Sequence, residues 1–296
     1  MSASRIAMIG AGGIARRHLD VLRAEPDVTL VGSVAGRRAS AERLAAAYGG
    51  QAFDDLAALL AAEQVDAAWI CVPPFAHGPI ERALIERGVP FFVEKPLSAD
   101  AGTAEAIAAA VAQAGIVTAV GYHWRALDTL SHVRERIAAG RAVRLVTGAW
   151  HSSTPPPAWW RHEAQSGGQM VEQATHLVDL ALHLLGDAEV LHAATVRGTR
   201  ASFPDADVAE ATSATLRFAT GAIGTITATC VLAATAQVEL RLHLEGEQIA
   251  ISQEAVAFDT GSEQRLLRRR ADPFAAQDRA FIEAVRAREP TRVLCS

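Results

Sequence analysis

The chain reads as α/β: a parallel sheet covered on both faces, followed by an α+β domain with a large, mostly antiparallel open sheet. Three observations predict this. Short β-branched runs alternate with alanine-rich helical stretches as far as Gly121, the early strands are almost continuously apolar, and later strand-like segments alternate polar and apolar residues. Strands buried on both faces read as apolar runs, whereas a sheet with one solvated face alternates. A chain of 296 residues fits two domains better than one, and the change of pattern puts the first at 1–121 and the second at 122–296.

In the first domain, strands are expected at Arg5–Ile9, Val28–Val34, Gln51–Phe53, Ala67–Val72, Pro90–Val93 and Val117–Val120. Between them lie helical patterns at 13–24, 39–48, 54–62, 77–87 and 100–114, rich in alanine, the best helix former. The second domain begins with a helix at 128–139 and a strand at 143–150. A loop with Pro155-Pro156-Pro157 and Trp159-Trp160 follows, then a helix at 168–185. Strands are expected at 189–198, 208–218, 222–231, 236–244, 248–252 and 255–259, and a last helix at 273–288. The clearest alternation is Val238-Glu239-Leu240-Arg241-Leu242-His243-Leu244.

A formal charge of −5 excludes the broad basic footprint that nucleic acid or an anionic membrane requires. Cys71, Cys230 and Cys295 lie far apart and form no C-x-x-C pair, which argues against a disulfide framework or a thiolate metal site. The chain reaches a strand and a glycine turn within ten residues, so no signal peptide is expected, and no apolar run approaches the roughly 20 residues a membrane helix needs. A cytoplasmic protein is the expectation, with neither nucleic acid nor membrane as partner.

The first strand runs into Gly10-Ala11-Gly12-Gly13-Ile14-Ala15, a G-x-G-x-x-A at a strand–helix junction. One glycine makes the tight turn, another lets a pyrophosphate approach the backbone, and the helix N-terminus favours its charge. Inside a βαβ pattern this marks a dinucleotide-binding (Rossmann) domain. An NAD site would carry an acid at the end of the second strand to take the ribose 2′-hydroxyl. The segment here reads Val34-Ala35-Gly36-Arg37-Arg38. Two guanidiniums suit a 2′-phosphate, so NADP(H) is the preferred cofactor and NAD(H) the alternative.

Two further landmarks follow later strands: Pro73-Pro74-Phe75-Ala76-His77 and Glu94-Lys95-Pro96. In this order, with the glycine turn, they resemble the glucose–fructose oxidoreductase/inositol dehydrogenase (Gfo/Idh/MocA) family. The resemblance runs from about residue 5 to the last helix. It implies an oxidoreductase whose second domain binds substrate and makes oligomer contacts, as a homodimer or homotetramer. It also implies that Lys95 reaches the reacting oxygen while Glu94, Pro73, Pro74 and His77 shape the nicotinamide site. Chemistry agrees about the lysine, because hydride transfer to a carbonyl builds negative charge on oxygen. The Lys95–Pro96 bond is a candidate cis peptide.

Gly168-Gln169-Met170-Val171-Glu172-Gln173-Ala174-Thr175-His176 supplies the third candidate site. On one continuous helix, Glu172 and His176 would share a face, with Asp179 and His183 extending it. The family commonly has Asp, then three residues, then His at this point, so His176 matches the acid–base histidine. Glu172 replaces the aspartate; it would orient His176, contact substrate, or do neither. A metal on His176, Asp179 and His183 is not expected. Tyr122, Trp124, Arg125, Trp160 and Arg161 are candidates for substrate contacts, since aromatic faces stack on sugar rings and arginine fixes oxygens, while a tryptophan on a loop equally suits an interface or core anchor.

The expected activity is hydride exchange between nicotinamide and a secondary alcohol or ketone of a carbohydrate-like small molecule: a sugar, cyclitol or related polyol. Two rivals stand beside it, a lyase or glycosidase that recycles its cofactor through transient oxidation and a non-enzymatic NADP-binding protein. Related chains usually continue into another helix after the position of Arg292-Val293-Leu294-Cys295-Ser296, so either truncation or an early end of the fold is expected there.

Overall fold

The computed structural model describes residues 3–289; the last segment named above, with Cys295, lies outside them. The chain divides into two units. One holds the described residues up to His123 together with those from Phe274 onward, and the other is Trp124–Pro273. The first unit is built on β1 (Ser4–Ile9), α1 (Gly13–Leu22), β2 (Val28–Val34), α2 (Arg38–Tyr48), β3 (Gln51–Phe53), α3 (Leu56–Ala62) and β4 (Ala67–Ile70). It continues through α4 (Pro79–Glu86), β5 (Phe91–Val93), α5 (Ala101–Ala114) and β6 (Thr118–Val120). The sheet order is β3-β2-β1-β4-β5-β6, every pair parallel.

Alternation within each strand sends side chains to two separate cores. Ile6, Met8, Trp69 and Phe92 pack on one face with Leu19 and Leu22 of α1, while Ala7, Ile9, Ala68, Ile70, Phe91 and Val93 pack on the other with Leu59 and Leu84. Phe281 and Ile282 complete the first core. They belong to the closing helix, Pro273–Ala287, which the sequence pattern places in the second domain. That expectation is corrected: burying these two side chains contributes about 1.5–3 kcal/mol each, and the apolar face of the helix finds its core beside α1.

The second unit opens with α6 (Leu130–Ala138), β7 (Val143–His151), α7 (Glu163–Ser166), α8 (Gly168–Glu172) and α9 (Thr175–Leu185). Then come β8 (Ala188–Val196), β9 (Ala211–Phe218), β10 (Ile223–Thr229), β11 (Gln237–Leu244), β12 (Glu247–Ile251), β13 (Ala255–Asp259) and β14 (Gln264–Arg268). The closing helix is α10. The sheet order is β14-β13-β12-β11-β7-β10-β9-β8, parallel only between β7 and β10. Leu240, Leu242, Val146, Ile226 and Ile249 point to one face, where Leu130 and Val133 of α6 and Leu177, Leu180 and Ala181 of α9 cover them. The strand β14 has no strong sequence signal because arginines interrupt it; pairing with β13 creates it, and Arg265 and Arg268 blunt the exposed edge.

The helix expected at 168–185 is two. The Gln173 and Ala174 amides both donate to Gln169 O, and the next bonds shorten to His176 N–Gln173 O and Leu177 N–Ala174 O. The ladder therefore jumps from i−4 to i−5 and then to i−3, which reorients α9 relative to α8. Among the described residues, no helix is long and apolar enough to cross a membrane.

Candidate active site

In the first unit, the three sequence landmarks follow β1, β4 and β5, adjacent strands of the sheet, at their carboxyl ends. That edge, where the strand order reverses, is where open parallel sheets bind ligands. Gly10 takes φ +110°, and a Cβ there would stand 2.0 Å from the Cys71 carbonyl oxygen, so the neighbouring backbone admits nothing larger. A Cβ on Gly12 or Gly13 would meet no protein atom within 4 Å. Packing does not demand those two glycines; room beside the turn does. The N-terminus of α1 carries no side-chain cap and no acidic residue in its first turn, which leaves the N–H groups of Gly13, Ile14 and Ala15 for an anion. The Ala15 side chain itself is buried and lets helix and sheet approach. These residues fit a dinucleotide diphosphate.

Arg37 and Arg38 stand exposed where β2 meets α2. They are not equivalent. Arg38 lies 2.7 Å from Asp54 and 3.3 Å from Glu42, whereas Arg37 has no ionic partner among the described residues. A 2′-phosphate would meet Arg37 directly and would compete with two carboxylates for Arg38.

The Lys95–Pro96 peptide is cis, and Lys95 is half-buried beyond the end of β5. Pro73 is partly exposed, but Pro74 and His77 are buried. The Nδ1 of His77 lies 2.6 Å from Glu81 Oε1, Glu81 Oε2 accepts the Gly78 N–H, and the pair secures the start of α4. Glu94 is also buried; it bonds His18 on α1 at 3.0 Å, and behind His18 stands Asp278 of α10. Sequence reading missed both. The available signal was a histidine on the apolar face of α1, three residues after Ala15.

In the second unit, His176 is 4% exposed and lies against two indoles, themselves 6.3 Å apart. Its ring stacks on Trp124 at 6.3 Å and 16°, and on Trp150 at 5.9 Å and 22°. Trp150 was not foreseen; it faces inward from β7 in step with Val146 and Gly148. One turn beyond His176, Asp179 takes a two-point bond from Arg125, Nε at 2.8 Å and a terminal nitrogen at 2.6 Å. Burial pushes the Asp179 carboxyl up, and the guanidinium pulls it partly back. Burial, then Arg125 and Arg134, lowers His183, whose Nε2 accepts from Arg134.

Several substrate candidates are reassigned by this geometry. Trp124 and Trp160 are each 1% exposed, so neither offers a ring face to a sugar. Trp160 donates its Nε1–H to Glu172 Oε2 at 2.8 Å, which ties Glu172 to the proline-rich loop. With the helix broken at Gln173–Ala174, Glu172 and His176 no longer share one helical face. Arg125 is held by Asp179, and Arg161 lies 3.3 Å from Asp205 and over Phe203. Tyr122 stays partly exposed just beyond β6, in the first unit. Among the described residues, no group of three or more His, Cys, Asp or Glu could hold a metal ion.

Residues 4–122 match the family model described as "Oxidoreductase family, NAD-binding Rossmann fold", and residues 130–252 match the GFO/IDH/MocA C-terminal domain. Together they take in most of the chain. The chain belongs to the Gfo/Idh/MocA family. Within this family it is 31% identical over 193 residues to inositol 2-dehydrogenase of Rhizobium meliloti (strain 1021), covering 64% of this chain and 58% of that protein. It is 30% identical over 193 residues to D-glucoside 3-dehydrogenase of Escherichia coli (strain K12), covering 62% and 55%. The matched chain thus spans little more than half the length of these curated Gfo/Idh/MocA relatives. The fold is shared with a 3-ketoreductase from Actinomadura kijaniata, solved in complex with NADP and TDP-benzene. There the TM-score is 0.87 at 21% identity, covering 98% of this chain and 92% of the other. UDP-N-acetylglucosamine 3-dehydrogenase from Acidithiobacillus ferrooxidans gives 0.82 at 23%, covering 100% and 92%.

Proposed function

We propose that this chain is an NADP(H)-preferring dehydrogenase or reductase acting on a secondary alcohol or ketone of a sugar, cyclitol or related polyol. The observation that carries the reading is the meeting of the open glycine cradle, the Pro73 turn and Lys95 at the carboxyl ends of three adjacent strands. The names of the relatives support the substrate class: an inositol dehydrogenase, a glucoside dehydrogenase and a 3-ketoreductase.

Gly10, Gly12, Gly13 and the first turn of α1 hold the diphosphate, and Arg37, with Arg38 behind it, takes the 2′-phosphate. The nicotinamide, when bound, supplies or accepts the hydride. Lys95 sets its ammonium against the substrate oxygen and stabilises the charge that develops there. His176 exchanges the oxygen's proton, which suits a group whose ordinary pKa lies near neutrality. Glu172, through Trp160, shapes the pocket wall, and Tyr122 is the partly exposed aromatic left for substrate. The uncovered face of the eight-stranded sheet serves a homodimer or homotetramer, and the buried free thiols Cys71 and Cys230 suit the cytoplasm.

Titration with NADPH and with NADH, followed by nicotinamide fluorescence, tests the cofactor. NADPH should bind more tightly, and Arg37→Ala should weaken NADPH by about 10-fold, the scale of a charge-assisted bond, while leaving NADH alone. Equal loss for both cofactors would remove Arg37 from the 2′-phosphate. A screen of polyols and ketosugars with the preferred cofactor then identifies the substrate.

A further inference from the structure

The closing helix carries a carboxylate into the interior of the nucleotide-binding unit. Asp278 on α10 is fully buried, and its two oxygens lie 2.9 and 2.8 Å from His18 Nδ1. Trp69 Nε1–H donates to the same carboxylate at 3.2 Å. On the opposite edge of the imidazole, His18 Nε2 lies 3.0 Å from Glu94 Oε1, and Glu94 Oε2 accepts the Lys95 backbone N–H at 3.2 Å. Phe92 and Phe274 close around the ring at 5.1 and 5.6 Å. Hydrogen bonds therefore run unbroken from α10, through α1, to the peptide from which Lys95 departs.

Both nitrogens of His18 face carboxylate oxygens. Burial pushes the Asp278 carboxyl up; with both carboxylates ionised, a neutral imidazole, which has one N–H, could satisfy only one of them, so that state calls for the doubly protonated ring. Burial pulls the imidazole toward the neutral form, but Asp278 and Glu94 outweigh it and hold its pKa at about 9. The other ionisable groups around this cluster fit. Cys71, at the end of β4, is pushed well up by burial and then by Glu94 and Asp278; Arg17 lies 5.1 Å over the Phe274 ring, and His123 stacks on that ring at 4.4 Å. Gly121 makes room for Glu94: a Cβ there would stand 2.4 Å from Glu94 Oε1.

We propose that His18 and Asp278 are positioning residues for the reaction: they hold Glu94 in place and, through its bond to the Lys95 N–H, set the direction in which Lys95 leaves β5. This rests on the assignment of Lys95 to the substrate oxygen. A purely structural cluster would fasten α10 to the sheet and affect stability alone. A positioning cluster must also affect turnover, and must do so with the protonation of His18.

The test uses the full-length protein with the polyol or ketosugar returned by the screen, and compares Asp278→Asn, His18→Gln and Lys95→Met. Asp278→Asn keeps the side-chain shape and removes the charge. It should lower kcat by about 10- to 100-fold, the scale of misplacing a reacting group by an ångström, with KM for NADPH changed by less than about threefold. The alkaline limb of the kcat profile should move to lower pH together with the His18 resonance of ring-labelled protein. Unchanged kcat and pH profile in folded Asp278→Asn and His18→Gln would overturn the proposal. If neither variant folds, the wild-type His18 resonance decides: titration near 9 supports the clamp, and titration below 7 overturns it. Lys95→Met separates the two readings. Full turnover there removes the assignment of Lys95 and this inference with it, whereas lost turnover there with wild-type kcat in Asp278→Asn overturns the positioning role alone.

Discussion

His18 and His176 are almost equally hidden, at 0% and 4% exposure, yet their surroundings are opposite in kind. Around His18 the ring edge is occupied: carboxylates meet both nitrogens. Around His176 the neighbours are aromatic: the indoles of Trp124 and Trp150, themselves 6.3 Å apart, stack beside the ring. An imidazole exchanges protons only through its edge. The first arrangement commits both nitrogens to a charged clamp inside the nucleotide-binding unit. The second packs the ring against indole surface in the other unit. Burial by itself says nothing about a histidine's role; the chemistry of the neighbours does.

The largest effect expected from this contrast is on turnover. His176→Asn should lower kcat by about 100- to 10,000-fold, the range for a general acid or base, while the thermal midpoint stays near wild type. Steady-state oxidation of NADPH with a ketosugar measures the first and a melting curve the second. The contrast breaks if His18→Gln slows turnover more than His176→Asn does.

Stability comes next. Removing the cation between Asp278 and Glu94 leaves buried carboxylates uncompensated, so His18→Gln should cost about 3–5 kcal/mol in urea unfolding. The pH dependence has a defined sign. A histidine raised from 6.5 to about 9 on folding stabilises the protein fully below pH 6.5, and that contribution is lost as the pH climbs through 9. Melting temperature should therefore fall between pH 6.5 and 9 in the wild type, and less steeply in Asp278→Asn. An equal slope in both would detach the effect from the clamp.

Smallest is the loss of one ring from this aromatic cluster. Trp150→Leu keeps an apolar side chain on β7 and removes one stacked partner, whose aromatic contact contributes about 0.5–1.5 kcal/mol beyond the area it buries. A loss of turnover larger than this stability change would show that the indoles also align the His176 edge, which a kcat comparison with His176→Asn would size.

Local features were legible in the sequence. Gly10 through Ala15, Arg37 and Glu94-Lys95-Pro96 lie within a few residues of strand ends, and their meaning depends on that spacing. Aromatic residues on connecting segments were not decisive. Trp124 and Trp160 are candidates for stacking on substrate, with an interface or core anchor the equal reading for a tryptophan on a loop; both are core side chains. The helix break at Gln173–Ala174 left no mark either, since neither residue is a glycine or proline.

The sequence by itself determined the parallel and antiparallel sheets, because strand periodicity records which faces are buried, and the cofactor turn, because only glycine fits beside the Cys71 carbonyl. Tertiary structure alone decided the pairing of His18 with Asp278. The two stand 260 positions apart, and no local pattern in either helix refers to the other. They meet because α10 buries Phe281 and Ile282 beside α1, and a carboxylate carried into that core by the helix required a cation to meet it.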